Sequence, residues 1–211
     1  LRVFVPSARV KRRKDDPKVT GLLYLCHEIA SQHVDFLPVF NQIRNRYLEI
    51  EKDLGLQGHL EKAFTDFLAQ IRAGVSRDFM ASRGEYFSGL VMAAYLGADF
   101  VDPEQFVVIT PAGTVDPVTY EQLGKRLADP AKRYVMPGFY GRDHFGKVKT
   151  FSRGGSDISG SIAARAAKAD VYENWTDVSG LLMADPRVVE KPAEMDQITY
   201  REIRELSYMG A

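Results

Sequence analysis

Val148-Lys149-Thr150-Phe151-Ser152-Arg153-Gly154-Gly155-Ser156-Asp157 is typical of a glycine turn, and a run of small residues follows it to Asp170. Adjacent glycines permit positive φ and close approach to a ligand, and Ser156 or Asp157 can cap a following helix. The first N–H groups of a helix lack internal partners and favour an anion. The guanidinium group of Arg153 can donate two parallel hydrogen bonds to a carboxylate or phosphate, so the pattern predicts an anion-binding turn. The alternative is a surface turn with a solvated arginine.

The residues after this turn predict a helix that lies on a sheet. Its expected buried face consists of Ile158, Ile162, Ala163, Ala166 and Ala169. The next run, Val171 to Thr176, has strand composition. Strand, turn, helix and strand in that order predict a βαβ-like unit, and ligands of open α/β sheets bind outside the carboxyl ends of the strands.

Upstream segments alternate between strand and helix patterns. Strands are expected at 1–5, 106–110 and 133–137, and helices at 19–34, 86–96 and 118–127. Residues 35–79 are expected to form two helices, separated at Gly55 and Gly58. Glu85 would lie in the first turn of the helix whose apolar residues run from Tyr86 to Leu96, as a cap or as an acceptor for a substrate ammonium group. Phe139, between glycines, is either ordinary core or a pocket wall.

Composition favours one soluble globular domain that binds a small molecule. The 211 residues are 45% hydrophobic and 27% charged, and 28 basic residues balance 28 acidic ones. A net charge of zero provides no global field for nucleic acid or anionic lipid, so we expect neither partner. Cys26 is the only cysteine, so the chain cannot form an internal disulfide. His33 and His59 do not match the spacing of metal ligands. With no apolar run near the roughly 20 residues of a membrane span and no signal peptide, we expect a cytoplasmic protein.

Four motifs in order resemble the aspartate kinases of the amino acid kinase family. They are Thr150 to Asp157, Trp175-Thr176-Asp177-Val178, Ala184-Asp185-Pro186-Arg187 and Ser207 to Ala211. Upstream, Val5-Pro6-Ser7, Val19 to Leu23, Gly84-Glu85 and Gly138-Phe139-Tyr140-Gly141 are similar to that family's substrate-side segments. The resemblance covers nearly the whole chain.

The resemblance implies an α/β fold, namely a three-layer α/β/α sandwich with a mostly parallel central sheet, here incomplete. It also implies transfer of the γ-phosphoryl group of ATP to the side chain of L-aspartate, with Mg²⁺ as cofactor, by a homo-oligomer when the protein is full length. Residues 1–211 would form a partial catalytic domain, in which 1–147 mainly bind the amino acid and 148–211 mainly bind nucleotide. Phosphoryl transfer requires positioning and charge neutralisation, which glycine backbone, a helix N-terminus and basic residues supply.

The same resemblance assigns site residues by position. The substrate-binding set is Ser7, Thr20, Glu85, Phe139, Arg153, Gly154, Gly155 and Ser156, and the nucleotide-binding set is Thr176, Asp177, Leu182 and Arg187. Arg153 would hold the α-carboxylate of aspartate and Glu85 its α-ammonium group. Asp157 matches the family's buried organising aspartate and is the expected catalytic residue.

Departures from the family pattern keep two alternatives open. Ser152 replaces a usual glycine, Leu182 replaces an aromatic residue at the adenine site, and two family lysines fall outside the chain. The fragment alone is therefore expected to have little activity. The alternatives are a non-catalytic binding or assembly fragment, and another amino acid kinase that acts on a different carboxylate.

Overall fold

A parallel sheet lies at the centre of the fold in the computed structural model, which describes residues 2–8, 16–151, 154–175, 180, 182–185, 188–195, 197–199 and 201–202. The strands are β1 (Val3–Phe4), β2 (Asp99–Phe100), β3 (Tyr134–Val135), β4 (Tyr140–Arg142) and β5 (Val148–Thr150). The helices are α1 (Val19–Ser31), α2 (Leu37–Asp53), α3 (Glu61–Ala73), α4 (Arg77–Leu96), α5 (Pro103–Phe106), α6 (Val118–Arg126) and α7 (Gly155–Ala166). Two compact units are present, Leu1–Tyr172 and Glu173–Ala211.

The sheet has the order β1-β3-β2, and both pairings are parallel, with Val3 and Asp99 each opposite Tyr134. β4 and β5 form a separate antiparallel pair. The strand expected at 106–110 is wrong in extent: Phe106 ends α5, and the pairing that remains is two isolated bridges at Val108 and Ile109. Asp102 at the N-cap and Pro103 at the first helical turn favour that short helix over a strand.

Side-chain alternation along the strands produces the three layers. Phe100 faces α4, where its ring meets Tyr86 edge to face with the centroids 5.5 Å apart. Tyr134 and Met136 face the other way, into a buried cluster with Leu123 of α6 and Ile162 of α7. Helices therefore cover both faces of the sheet, and the predicted three-layer α/β sandwich is confirmed.

Helices α1 to α4 enclose a second, aromatic core. The rings of Phe64 and Phe87 stack with centroids 4.1 Å apart, and Tyr47 lies 5.4 Å from Phe87. Cys26 is buried in this layer, as expected. The predicted break between α2 and α3 is confirmed, because residues 54–60 lie between the two helices.

The expected start of α4 is wrong by about nine residues. α4 begins at Arg77, where the Ser76 hydroxyl accepts a hydrogen bond from the Phe79 N–H over 3.1 Å. Glu85 consequently lies in the middle of the helix and not in its first turn. Gly84 lies inside the helix although glycine is a poor helix former. A Cβ there would lie 3.0 Å from the Cβ of Ala8, so the position requires a small residue for packing.

The start of α7 also differs from the expected one. Gly154 is the N-cap with φ 58°, so Ser156 and Asp157 lie inside the first turn and neither is the N-cap residue. The buried face is formed by Ile162, Ala163 and Ala166. Ile158 is 38% exposed and Ala169 lies beyond the helix, so the predicted face was too wide.

The strand predicted at 171–176 is absent over 171–175, and Thr176 lies outside the described residues. Val171 is 69% exposed, and its neighbour Tyr172 instead places its hydroxyl against Gly160 of α7. A strand needs a hydrogen-bonded neighbour, and composition alone does not supply one. Together with the antiparallel pairing of β5, this overturns the predicted βαβ unit.

In the unit Glu173–Ala211, Leu182 forms an antiparallel bridge with Glu194. The predicted capping box at Thr199 and Glu202 is confirmed, because each backbone N–H bonds to the other residue's side chain. Within the described part of the chain, no helix is long and apolar enough to cross a membrane.

Candidate active site

The loops that follow β1 and β3 meet at the carboxyl end of the sheet. The Gly138 N–H donates to the Pro6 carbonyl over 3.1 Å. This edge is where open parallel sheets bind ligands. Pro6 to Ala8 and Gly138-Phe139 are thus brought together, as the sequence motifs predict.

The N-terminus of α7 packs closely against the second of these loops. The Phe139 N–H donates to the Ser159 hydroxyl over 3.0 Å, and that hydroxyl donates to the Gly155 carbonyl over 2.8 Å. A Cβ added at Gly155 would lie 2.6 Å from Cδ2 of Phe139, and one at Gly138 would lie 2.8 Å from the Cα of Ser156. Glycine is therefore required at both positions, and the turn is more than a solvated surface loop.

Phe139 has φ 80°, a conformation that non-glycine residues rarely adopt. Its carbonyl accepts from the Phe151 N–H over 2.9 Å, so the backbone is held on both sides by neighbouring segments. The side chain is half-buried. A strained backbone conformation costs about 1–3 kcal/mol and persists only where the surrounding structure holds it in place. Such conformations cluster at active sites and ligand-binding sites.

Glu85 is the buried carboxylate of this region, with an exposed fraction of 8%. Its Oε2 atom has no hydrogen-bond partner among the described residues. Burial raises the pKa of Glu85 to about 7, against a smaller opposite effect of hydrogen bonds from its own and the Ala8 backbone N–H groups. A buried oxygen with spare acceptor capacity is suited to a cationic donor such as an ammonium group.

The chain neighbours of Ser7 and Thr20 lie against Gly84, the residue before Glu85. A Cβ added at Gly84 would contact Ala8, which follows Ser7, and would lie 3.7 Å from the buried Val19, which precedes Thr20. Ser7 is exposed and Thr20 is half-buried.

The remaining predicted residues are less completely described. Asp157 is exposed, which corrects the expectation of a buried aspartate; in the first turn of α7 the helix dipole favours its charge without burial. Leu182 is half-buried at its bridge with Glu194. The predicted residues Arg153, Thr176, Asp177 and Arg187 lie outside the described residues. Among the described residues, no group of three His, Cys, Asp or Glu side chains can hold a metal ion.

Sequence reasoning missed Ser159 and Arg83. Ser159 holds Phe139 in place, and its signal was a serine four residues after Gly155, where it can bond the preceding helical turn. Arg83 is buried directly before Gly84, in a motif that drew attention to Glu85 alone.

The chain is similar to known proteins over nearly its whole length. The model of the amino acid kinase family matches residues 21–211. Aspartokinase 3 of Bacillus subtilis (strain 168) is 36% identical over 224 residues, which cover 99% of this chain and 49% of that protein.

Solved structures give the same result. The aspartate kinase of Clostridium acetobutylicum superposes with a TM-score of 0.89 at 44% identity, covering 98% of this chain and 48% of that one. Aspartokinase III of E. coli, in complex with lysine and aspartate in the T-state, gives a TM-score of 0.73 at 25% identity, covering 94% and 47%. The present chain spans about half the length of the relatives it matches.

Proposed function

This chain belongs to the amino acid kinase family, and from that premise we propose that the protein containing it is an ATP-dependent aspartate kinase. The proposed reaction produces 4-phospho-L-aspartate and ADP. The observation that carries the proposal is Glu85, a buried carboxylate with an open acceptor oxygen, which also accepts a hydrogen bond from the Ala8 N–H in the loop after β1. Ammonium and carboxylate recognition at one sheet edge is what an amino acid substrate requires. The aspartokinase relatives support the same substrate.

The substrate would be held by its two α-substituents. Glu85 would accept from the ammonium group, and Arg153 with the N–H groups of the α7 N-terminus would hold the α-carboxylate. Ser7, Thr20 and the half-buried ring of Phe139 would line the same site. With both α-groups fixed, the side-chain carboxylate is the part of aspartate left to react.

The chemical step needs little help from a base. The side-chain carboxylate of aspartate is already ionised near neutral pH, so its oxygen can attack directly. A bond forms from that oxygen to the γ-phosphorus of ATP, the bond from phosphorus to the bridging oxygen breaks, and ADP leaves with the electron pair. The protein's contribution is to bring two anions together and to neutralise their charge.

Nucleotide binding is proposed for Thr176, Asp177, Leu182 and Arg187, and Asp157 is proposed as the catalytic, organising aspartate. Mg²⁺ fits this scheme as an ion carried by the ATP phosphates, since Mg²⁺ is usually bound through substrate phosphates and one or two carboxylates. When bound, it would neutralise phosphate charge.

The remaining parts of the proposal concern the whole protein. Residues 1–147 are proposed to bind mainly the amino acid and 148–211 mainly the nucleotide. The proposed context is a homo-oligomer in the cytoplasm, without nucleic acid or membrane partners, since a net charge of zero provides no global field for either.

Coupled ADP-release assays on the full-length protein test this function. We expect turnover that depends on both L-aspartate and Mg-ATP. Arg153→Ala should raise the KM for L-aspartate at least about tenfold, because it removes a bidentate charged contact. The matched control is Arg72→Ala at the exposed end of α3, which should leave that KM unchanged. Turnover with another carboxylate and none with L-aspartate would contradict the proposal.

A further inference from the structure

The side chain of Arg83 is buried between aromatic rings, although arginine is rarely buried unless its charge is paired. Its guanidinium carbon lies 4.2 Å from the ring centroid of Phe79 and 4.3 Å from that of Tyr86. Both rings belong to α4, one turn before and one turn after Arg83. The third ring, at 5.5 Å, is that of Tyr140 on β4. One cation therefore joins the helix to the neighbouring strand.

The polar partners of Arg83 lie on α4 and α5. Its Nε and Nη2 donate to the Ser82 hydroxyl over 3.1 and 3.0 Å, and Nη2 lies 3.9 Å from Oε2 of Glu104. The Tyr140 hydroxyl donates to Oδ1 of Asp102 over 2.9 Å. Rings and carboxylates together compensate the buried charge, which stabilises one relative position of α4, α5 and β4.

This position matters because each partner stands next to a residue of the candidate site. Glu85 follows Arg83 by two residues on α4, and Phe139 directly precedes Tyr140. A shift of α4 along β4 would change the distance between the Glu85 carboxylate and the Phe139 backbone. Two hydrogen bonds also join the first turn of α4 to β5. The Thr150 N–H and hydroxyl donate to the Asp78 carboxylate over 3.3 and 3.2 Å.

We propose that Arg83 is a positioning residue, which sets the spacing between Glu85 and Phe139 and thereby the affinity for the amino acid substrate. The inference rests on the proposed function. Arg83 does not touch the substrate in this scheme; it acts through the two residues that do. A residue of this kind changes the affinity for one substrate, whereas a residue that only stabilises the fold changes the amount of active enzyme.

The test compares three variants of the full-length protein. Arg83→Met keeps the length of the side chain and removes the charge and the flat face, and Arg83→Lys keeps the charge alone. The matched control is Arg126→Met, because Arg126 also combines a ring contact, 5.1 Å to Tyr134, with an ion pair, 3.2 Å to Asp99. Those partners begin β3 and β2, at the amino end of the strands and away from the site.

We expect Arg83→Met to raise the KM for L-aspartate about tenfold while the KM for ATP stays within about twofold. Arg83→Lys should show a smaller rise, and Arg126→Met none, with unfolding midpoints measured for all three. An active wild-type protein whose KM for L-aspartate is unchanged in Arg83→Met overturns this inference alone. If Arg83→Met does not fold, an unchanged KM in Arg83→Lys overturns it. A wild-type protein without L-aspartate turnover overturns the proposed function and this inference together.

Discussion

At the scale of single residues, the burial of Glu85 predicts that the KM for L-aspartate depends on pH. Desolvation raises its pKa to about 7, so the buried carboxyl group is largely neutral at pH 6 and largely ionised at pH 8. Only the ionised form attracts an ammonium group strongly. The KM for L-aspartate should therefore fall as pH rises from 6 to 8, by up to about tenfold, and become constant above that range.

The control for this pH profile is Glu85→Gln in the full-length protein. The amide has nearly the same shape and no charge, so we expect a KM that is high and independent of pH over the same range. A pH-dependent KM that persists in Glu85→Gln would assign the titration to another group. Steady-state kinetics at five or six pH values, with saturating Mg-ATP, provide the measurement.

Gly155 provides the second prediction at this scale. Gly155→Ala places a methyl group 2.6 Å from a ring carbon and 2.9 Å from the Cα of Phe139, and the backbone contact cannot be relieved by a side-chain rotation. Displacement of Phe139 should raise the KM for L-aspartate by at least about tenfold.

The matched control for Gly155→Ala is Gly21→Ala in α1. Among the described residues, no atom outside the helix lies within 4 Å of a Cβ at Gly21. Alanine costs less entropy than glycine inside a helix, so this variant should be more stable by about 0.5–1 kcal/mol. If Gly155→Ala leaves the KM for L-aspartate unchanged, the close contact between Gly155 and Phe139 is not needed for substrate binding.

At the scale of elements, the boundary of α4 shows where sequence patterns suffice and where they do not. The apolar residues after Tyr86 predicted the second half of the helix, because their spacing is helical. The first half contains Ser82, Arg83, Gly84 and Glu85, which are buried polar or small residues that composition assigns to a turn. Their burial depends on Tyr140 and Ala8, which are distant in sequence, and local patterns do not record such contacts.

The glycine turn was predicted in position, but its partners were not. Periodicity located α7, whereas the bond from Phe139 to Ser159 and the contact of Tyr172 with Gly160 depend on chain folding over 12 to 20 residues. Motif resemblance predicts a substrate-binding role for residues that the helical pattern alone misplaced, such as Glu85. The carboxyl ends of β1 and β3 then brought Pro6 to Ala8 and Phe139 together, as parallel-sheet topology requires.

Ser76 allows the element-scale prediction. Ser76→Ala removes the acceptor for the Phe79 N–H at the start of α4, and loss of an N-cap should lower the free energy of unfolding by about 1 kcal/mol. Ser31→Ala at the end of α1 is the matched control. There the hydroxyl only adds a bond to a carbonyl of the preceding turn, and a change below about 0.5 kcal/mol is expected. Equal losses in urea unfolding would contradict the assigned start of α4.

At the scale of the whole unit Leu1–Tyr172, α4 joins the aromatic core of the helical layer to the sheet. Its Phe87 and Met80 belong to that core, and its Tyr86 contacts Phe100 of the sheet. Arg83 and Glu85 lie on the same helix. A change that loosens the helical layer should therefore also displace Arg83 and Glu85, because packed interiors do not deform continuously.

Phe87 tests how much of the stability this shared helix provides. Its side chain is fully buried and contacts the rings of Tyr47, Phe64, Phe67 and Tyr86. Phe87→Ala should lower the free energy of unfolding by about 3–5 kcal/mol, since it removes a large apolar side chain and leaves a cavity. The matched control is Phe145→Ala at the tip of the β4–β5 pair, where the side chain is 90% exposed and the change should stay within about 0.5 kcal/mol. Urea unfolding of the full-length protein, followed by circular dichroism, measures both, and a loss below about 1 kcal/mol in Phe87→Ala would show that α4 is held mainly by its contacts with the sheet.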